Sequence, residues 1–185
     1  GAAGLEELRE NLVSMSQEIP VAFTELSKIA ALGNQLGIDP SGIEAFTETV
    51  SRFSTVSGVS AEETAQAFGS MGEIMGVSAS EFENLGSSIA YVARTSVATD
   101  AEILSLTREI SQQATSAGFA ADEVVGLSGA MASLRLPPER SRGALTTYFQ
   151  TLNQAVAEGG SKLESFASLV GRTSEQLTQD VVGGK

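Results

Sequence analysis

The chain has 185 residues, 42% of them hydrophobic, and its 23 acidic and 11 basic side chains give a formal net charge of −12. Cysteine and histidine are absent, which excludes disulfides, thiolate and imidazole metal sites, and nucleophiles activated by a histidine. The acidic surface repels phosphate, so direct nucleic-acid binding is not expected, and no apolar run approaches the roughly 18 residues that a membrane span needs.

Apolar residues recur at helical spacing along almost the whole chain. Phe46, Val50 and Phe53, for example, follow one helical face. No segment alternates at period two for long enough to indicate a strand. The pattern predicts helices over residues 3–15, 20–36, 40–56, 61–75, 79–96, 100–117, 121–134, 138–157, 161–170 and 174–182. We therefore predict an all-α fold without a sheet, a compact multi-helix array of about ten short capped helices.

A short turn motif recurs between these helices. It begins with a glycine that can adopt the left-handed conformation at a helix end. A Ser, Thr or Asp two residues later can cap the next helix, and a Glu or Gln three residues further on can close a capping box. Boxes are predicted at Ser60/Glu63, Ser78/Glu81, Thr173/Gln176 and Thr99/Glu102. The predicted turn and cap residues are Gly37, Asp39, Gly58, Ser60, Glu63, Gly76, Ser78, Glu81, Gly118 and Thr173.

The chain is organised as a quasi-repeat, because the turns resemble one another while the helix interiors do not. We expect N-terminal helices over residues 1–36, a helical array over 37–134 and C-terminal helices over 135–185, which form either a separate part or the same domain as the array. The first part can also be the cut edge of a longer helical region. The ends, residues 1–4 (GAAG) and 183–185 (GGK), resemble cut edges, and the first residues lack the features of a signal peptide.

Several glycines fall inside predicted helices, where each costs about 1 kcal/mol relative to alanine. Close crossing of helix backbones is the explanation that we favour, and a bend or a ligand contact is the alternative. These glycines are Gly69, Gly72, Gly86, Gly126, Gly129 and Gly143.

Paired carboxylates are the feature closest to a catalytic motif. A glycosidase needs a protonated acid in an apolar cleft beside a second carboxylate, and aromatic platforms for sugar rings. The chain has no Trp and only two Tyr. We therefore expect solvated helix faces and caps, and we predict no enzyme activity, cofactor, metal site or small-molecule substrate. The pairs are Glu44/Glu48, Glu62/Glu63 and Glu81/Glu83.

Arg135, Arg140 and Arg142 form the one basic cluster in the sequence. They are candidate contacts for an acidic partner or for another copy of this chain. Ordinary ion pairing with Glu139 and its neighbours is the alternative, and it is the interpretation that we prefer.

The stretch from Gly37 to Val182 resembles the core region of tape measure proteins from tailed bacteriophages and prophages. The order of the motifs carries the resemblance, and Arg135-Leu136 departs from it, because the family more often has a glycine-containing turn there. The motifs are residues 58–63 (GVSAEE), 76–81 (GVSASE), 126–134 (GLSGAMASL), 138–145 (PERSRGAL) and 163–173 (LESFASLVGRT).

The resemblance implies a structural piece of a longer protein that sets tail length during assembly. Such a protein lies in the lumen of the virion tail after assembly in the host cytoplasm. Its implied partners are other copies of itself and the tail tube and tail assembly chaperone proteins, and no catalytic residues are implied in this region. The alternatives are a helical adaptor domain of a cellular protein and, least favoured, an enzyme such as a wall-degrading hydrolase.

Overall fold

The computed structural model of the chain describes residues 2–78, 81–135 and 138–183. These ranges contain ten α-helices, one short 3₁₀ turn and no strand, which confirms the predicted all-α array. The helices are α1 (Ala2–Glu18), α2 (Phe23–Gln35), α3 (Ile43–Ser57), α4 (Ala61–Met75), α5 (Phe82–Thr95), α6 (Asp100–Ser116), α7 (Ala121–Ser133), α8 (Pro138–Glu158), α9 (Gly160–Leu169) and α10 (Ser174–Gly183).

The prediction was wrong at the junction of the first two helices. α1 continues to Glu18, beyond the predicted end at residue 15, because buried Met15 and Ile19 extend its apolar face. α2 begins at Phe23 and not at Pro20, since Ala22 is extended, with φ −64° and ψ 144°. The predicted start of the fifth helix at residue 79 lies outside the described residues, and so do the last two residues of the predicted cut end.

The start of α3 also differs from the prediction, because residues 40–42 form a 3₁₀ turn and not the first turn of an α-helix. Asp39 Oδ1 accepts hydrogen bonds from Ser41 N at 2.9 Å and from Ser41 Oγ at 2.6 Å. Gly42 N donates to Asp39 O at 2.8 Å. The backbone N–H groups of Ser41 and Gly42 therefore bond to a residue two and three positions earlier, whereas an α-helix joins residues four apart. The shorter spacing tightens the turn.

Left-handed glycines end several helices in the same way. At Gly76, which has a φ of 65°, the next residue donates a backbone hydrogen bond to the carbonyl of Gly72 at 3.0 Å. This bond is typical of a Schellman motif, and it turns Val77 back against the core. Equivalent bonds follow Gly37, Gly118 and Gly171, from Ile38 to Gly33, from Phe119 to Ala114 and from Arg172 to Ala167.

Phenylalanines from three helices form the centre of the largest core. Phe68 of α4 contacts Phe53 of α3 at a ring-centroid distance of 5.5 Å and Phe82 of α5 at 6.4 Å, both edge to face. A second core lies among α6–α10, where Phe149 contacts Phe119 at 5.2 Å, and a third holds α1 against α2 and α3. α6 contributes side chains to the first two cores and so joins them.

The internal glycines divide into two groups, and packing explains only one of them. A β-carbon at Gly72 would lie 2.7 Å from Cζ of Phe82, and one at Gly129 would overlap Cγ1 of Val92. A β-carbon at Gly69 would be similarly crowded, at 2.7 Å from Leu36 Cδ1, and one at Gly86 less so, at 3.2 Å from Thr49 Cγ2. The packing explanation is wrong for the exposed residues Gly126 and Gly143, since a β-carbon there would meet open space.

Two glycines of α7 therefore provide a matched pair. Gly126→Ala is expected to raise the free energy of unfolding by about 0.5–1 kcal/mol, because alanine is the better helix former and meets no neighbour. Gly129→Ala is expected to lower it by about 1–3 kcal/mol, because Val92 has one strongly preferred rotamer in a helix and must move. Urea unfolding followed by circular dichroism measures both values, and shifts of the same sign would contradict this distinction.

Candidate interaction surface

The two carboxylates of α3, Glu44 and Glu48, contact different partners. Glu44 is exposed, and its Oε2 accepts a hydrogen bond of 2.7 Å from Asn11 Nδ2 on α1. Glu48 forms an ion pair of 2.8 Å with Arg52, one turn along the same helix. The two carboxylates therefore have different partners, and Glu48, which lines the groove between α3 and α5, is paired with Arg52 there.

The capping residues differ in how completely they form the predicted boxes. Thr99 and Glu102 form a reciprocal box, with bonds of 3.2 and 2.8 Å, and so do Thr173 and Gln176. Ser60 Oγ accepts from Glu63 N at 3.2 Å, but the Glu63 carboxylate does not return a bond to Ser60 N. The predicted box at Ser60 is therefore only half formed.

Two acidic caps are held in their charged form. Glu81 Oε2 accepts from Ser78 Oγ at 2.5 Å and from Ser78 N at 2.8 Å, and these bonds lower the pKa of Glu81. The side chain and backbone N–H of Ser41 lower the pKa of Asp39 in the same way. A lowered pKa in the folded state stabilises the fold above the ordinary carboxyl pKa, and this contribution is lost as the pH falls through the lowered value.

Gly118 forms the contact between the α6–α7 turn and the C-terminal helix. It is buried and has a φ of 83°. A β-carbon there would lie 2.7 Å from the carbonyl oxygen of Val181 and 2.8 Å from that of Asp180. Only glycine therefore allows α10 to approach this turn so closely.

The three arginines of the basic cluster have different surroundings. Arg142 Nη1 lies 3.7 Å from Glu109 Oε1, which links α8 to α6. Arg135 is exposed just beyond α7 and has an unusual φ of 52°, and Arg140 is exposed on α8. The Glu139 side chain, the partner that the sequence pattern favours for them, lies outside the described side chains. Contact of these arginines with an acidic partner stays a prediction.

Three surface grooves offer places for a partner. A groove of about 980 Å³ lies between α5 and the α6–α7 turn, with Tyr91 and Phe119 among its lining residues. A second, of about 710 Å³, lies between α3 and α5, and residues 18–20 at the end of α1 also line it. A third, of about 580 Å³, lies beside Gly118 and α10. The part of the chain that the structure describes holds no acidic cluster suited to a metal ion, and none of its helices is long and apolar enough to cross a membrane.

The comparison with protein families gives the identity of this helical array. A family model described as phage-related minor tail protein matches residues 9–183, which extend from α1 to the end of α10. Comparisons with curated proteins and with solved structures gave no match. The family points to a structural component of the virion tail and not to a catalytic protein. The chain therefore belongs to the phage-related minor tail protein family.

Proposed function

We propose that this chain is a structural module of a tail tape measure protein, acting in tail assembly and in the determination of tail length. The observation that carries the proposal is the family match over residues 9–183. The ordered series of capped helices, which resembles the tape measure core region, supports the finer assignment. The family match also favours a tail component over a helical adaptor of a cellular protein.

The proposed location is the lumen of the virion tail, reached after assembly in the host cytoplasm. The proposed partners are other copies of the chain, the tail tube protein and the tail assembly chaperones. The folded array is consistent with a structural role, since its hydrogen-bonded caps and left-handed turns divide the chain into short helices that do not form one long helix. A continuous helix of 185 residues would span about 280 Å, so the folded module fills far less length than its sequence could.

The test is an in-frame change of residues 9–183 in the full-length gene, with tail length measured by electron microscopy. Duplicating the segment is expected to lengthen the tail and deleting it to shorten it. A change of about 40 Å indicates a segment that stays compact in the tail, and a change of about 260 Å indicates one that is extended there as a helix.

The matched control replaces the segment with an unrelated helical sequence of equal length, which is expected to restore the tail length if length alone is measured. Tails of unchanged length in both the duplication and the deletion would contradict the proposed role.

A further inference from the structure

The groove between α3 and α5 has a narrow floor and charged walls. Thr49 and Gly86 lie in its floor, where a β-carbon at Gly86 would come within 3.2 Å of Cγ2 of Thr49. The two helices therefore approach closely and leave a shallow trough above the contact. Val56 lines the trough and is 73% exposed, so the surface includes apolar area that no other helix covers.

Besides Gly86 in the floor, four other residues of α5 line this groove and lie on one face of the helix. They are Glu83, Ser87, Ala90 and Arg94, separated by four, three and four residues. This spacing places side chains in a single row along a helix. The row has a negative charge at one end, a positive charge at the other and two small side chains between them. Its ends are about 16 Å apart at the rise of an α-helix.

The charged side chains at the ends of this row, Glu83 and Arg94, are exposed. Among the described residues, neither Glu83 nor Arg94 has an ion-pair or hydrogen-bond partner on another side chain. By contrast, Glu48 and Arg52, which lie on the α3 side of the same groove, neutralise each other at 2.8 Å. The α5 row therefore keeps one charge of each sign available to a partner.

The row is self-complementary when a second copy is packed against it in the antiparallel direction. Antiparallel pairing places Glu83 of one copy opposite Arg94 of the other, twice, because the row is symmetric about its midpoint. The same pairing places Ser87 opposite Ala90, and these small side chains let the two helices approach closely. A parallel arrangement would instead place like charges together, which is unfavourable.

We propose that the face formed by α3 and α5 is the interface of a two-fold symmetric dimer of this chain. The same patch on both copies forms such an interface, and each contact occurs twice. The second copy's α5 lies in the trough between α3 and α5 and covers Val56. This proposal rests on the proposed assembly role, in which copies of the chain bind one another. It names the surface through which they bind.

The experiment measures the dimerisation constant of the 185-residue chain by sedimentation equilibrium at low salt. The wild type is expected to dimerise in a concentration-dependent manner in the micromolar to millimolar range. Glu83→Arg and Arg94→Glu are each expected to weaken the dimer at least tenfold, because each places like charges opposite each other at both ends of the interface. The double variant is expected to return to within a few-fold of the wild type, because opposite charges face each other again.

Glu10→Arg on α1 is the matched control, since it makes the same change in net charge at an exposed residue outside the groove. It is expected to leave the dimerisation constant unchanged. Circular dichroism of each variant checks that the helices are retained, because the reversals on α5 oppose the helix dipole and are expected to lower the melting temperature slightly.

Any of three results would overturn the two-fold interface. The wild type could stay monomeric up to about 1 mM, the single variants could dimerise as tightly as the wild type, or the double variant could dimerise as weakly as the single variants. A monomeric chain whose duplication still lengthens the tail would overturn the dimer alone. A dimer that responds to these charges, combined with unchanged tail length in the gene variants, would overturn the proposed role in length determination alone.

Discussion

Replacing Phe68 with alanine is expected to lower the free energy of unfolding by about 3–5 kcal/mol. The side chain is 0% exposed, and it joins Phe53 of α3 to Phe82 of α5 at the centre of the largest core. Removing the ring loses its transfer free energy and leaves a cavity between three helices that can only partly collapse. Small domains have free energies of unfolding of about 5–15 kcal/mol. The urea concentration at the unfolding midpoint is therefore expected to fall sharply in this variant.

Phe166→Ala is the control for this variant, because it removes the same ring from a partly buried position at the edge of the second core. Its ring contacts Tyr148 at 5.5 Å, and Tyr148 is itself 38% exposed. The expected loss is about 1–2 kcal/mol, since less area is buried and solvent can fill the gap. Equal losses for the two variants would contradict a core centred on Phe68.

Gly118→Ala is expected to lower the free energy of unfolding by about 2–4 kcal/mol and to release the C-terminal helix. The left-handed conformation of an alanine costs about 1–2 kcal/mol, and the new β-carbon would come within 2.7 Å of the Val181 carbonyl oxygen. Backbone atoms cannot rotate away as a side chain can, so α10 must shift. Amide hydrogen exchange is expected to accelerate over residues 174–183, where the helix depends on few buried contacts.

Gly58→Ala separates the two causes. Gly58 has a φ of 72°, but a β-carbon there would meet no atom within 4 Å. This variant is therefore expected to show the conformational cost alone, about 1–2 kcal/mol, without faster exchange in α10. If Gly118→Ala matched it in both stability and exchange, the contact between the α6–α7 turn and α10 would not stabilise the fold.

The sequence was sufficient to predict the helices because their signals are local. Capping residues and left-handed glycines act within one turn of a helix end, as at Thr99 and Gly76, and they need no knowledge of the tertiary fold. Sequence reasoning failed where packing between distant helices decides the outcome. Buried Ile19 lengthens α1 through contacts with the third core, and the crowding at Gly129 but not at Gly126 depends on which side of α7 faces α5.

The candidate surface was harder to predict than the fold. Sequence reasoning considered Glu83 as half of a carboxylate pair and missed that it shares a helical face with Arg94. The spacing of the α5 row, four, three and four residues, could have indicated this face. The groove itself needs α3 beside α5, a contact between residues far apart in the chain. The same limit applies to Arg142, whose partner Glu109 lies on α6 and not in the neighbouring sequence.

The short helices of this chain pack into a compact array and do not form an extended rod. Small-angle X-ray scattering of the 185-residue chain tests it most directly, with the Glu83→Arg variant used to suppress the proposed dimer. The radius of gyration is expected to be near 16 Å, the value for a compact chain of this length. A continuous helical rod would give about 80 Å, and any value several times larger than the compact one would show that the helices do not pack into this array.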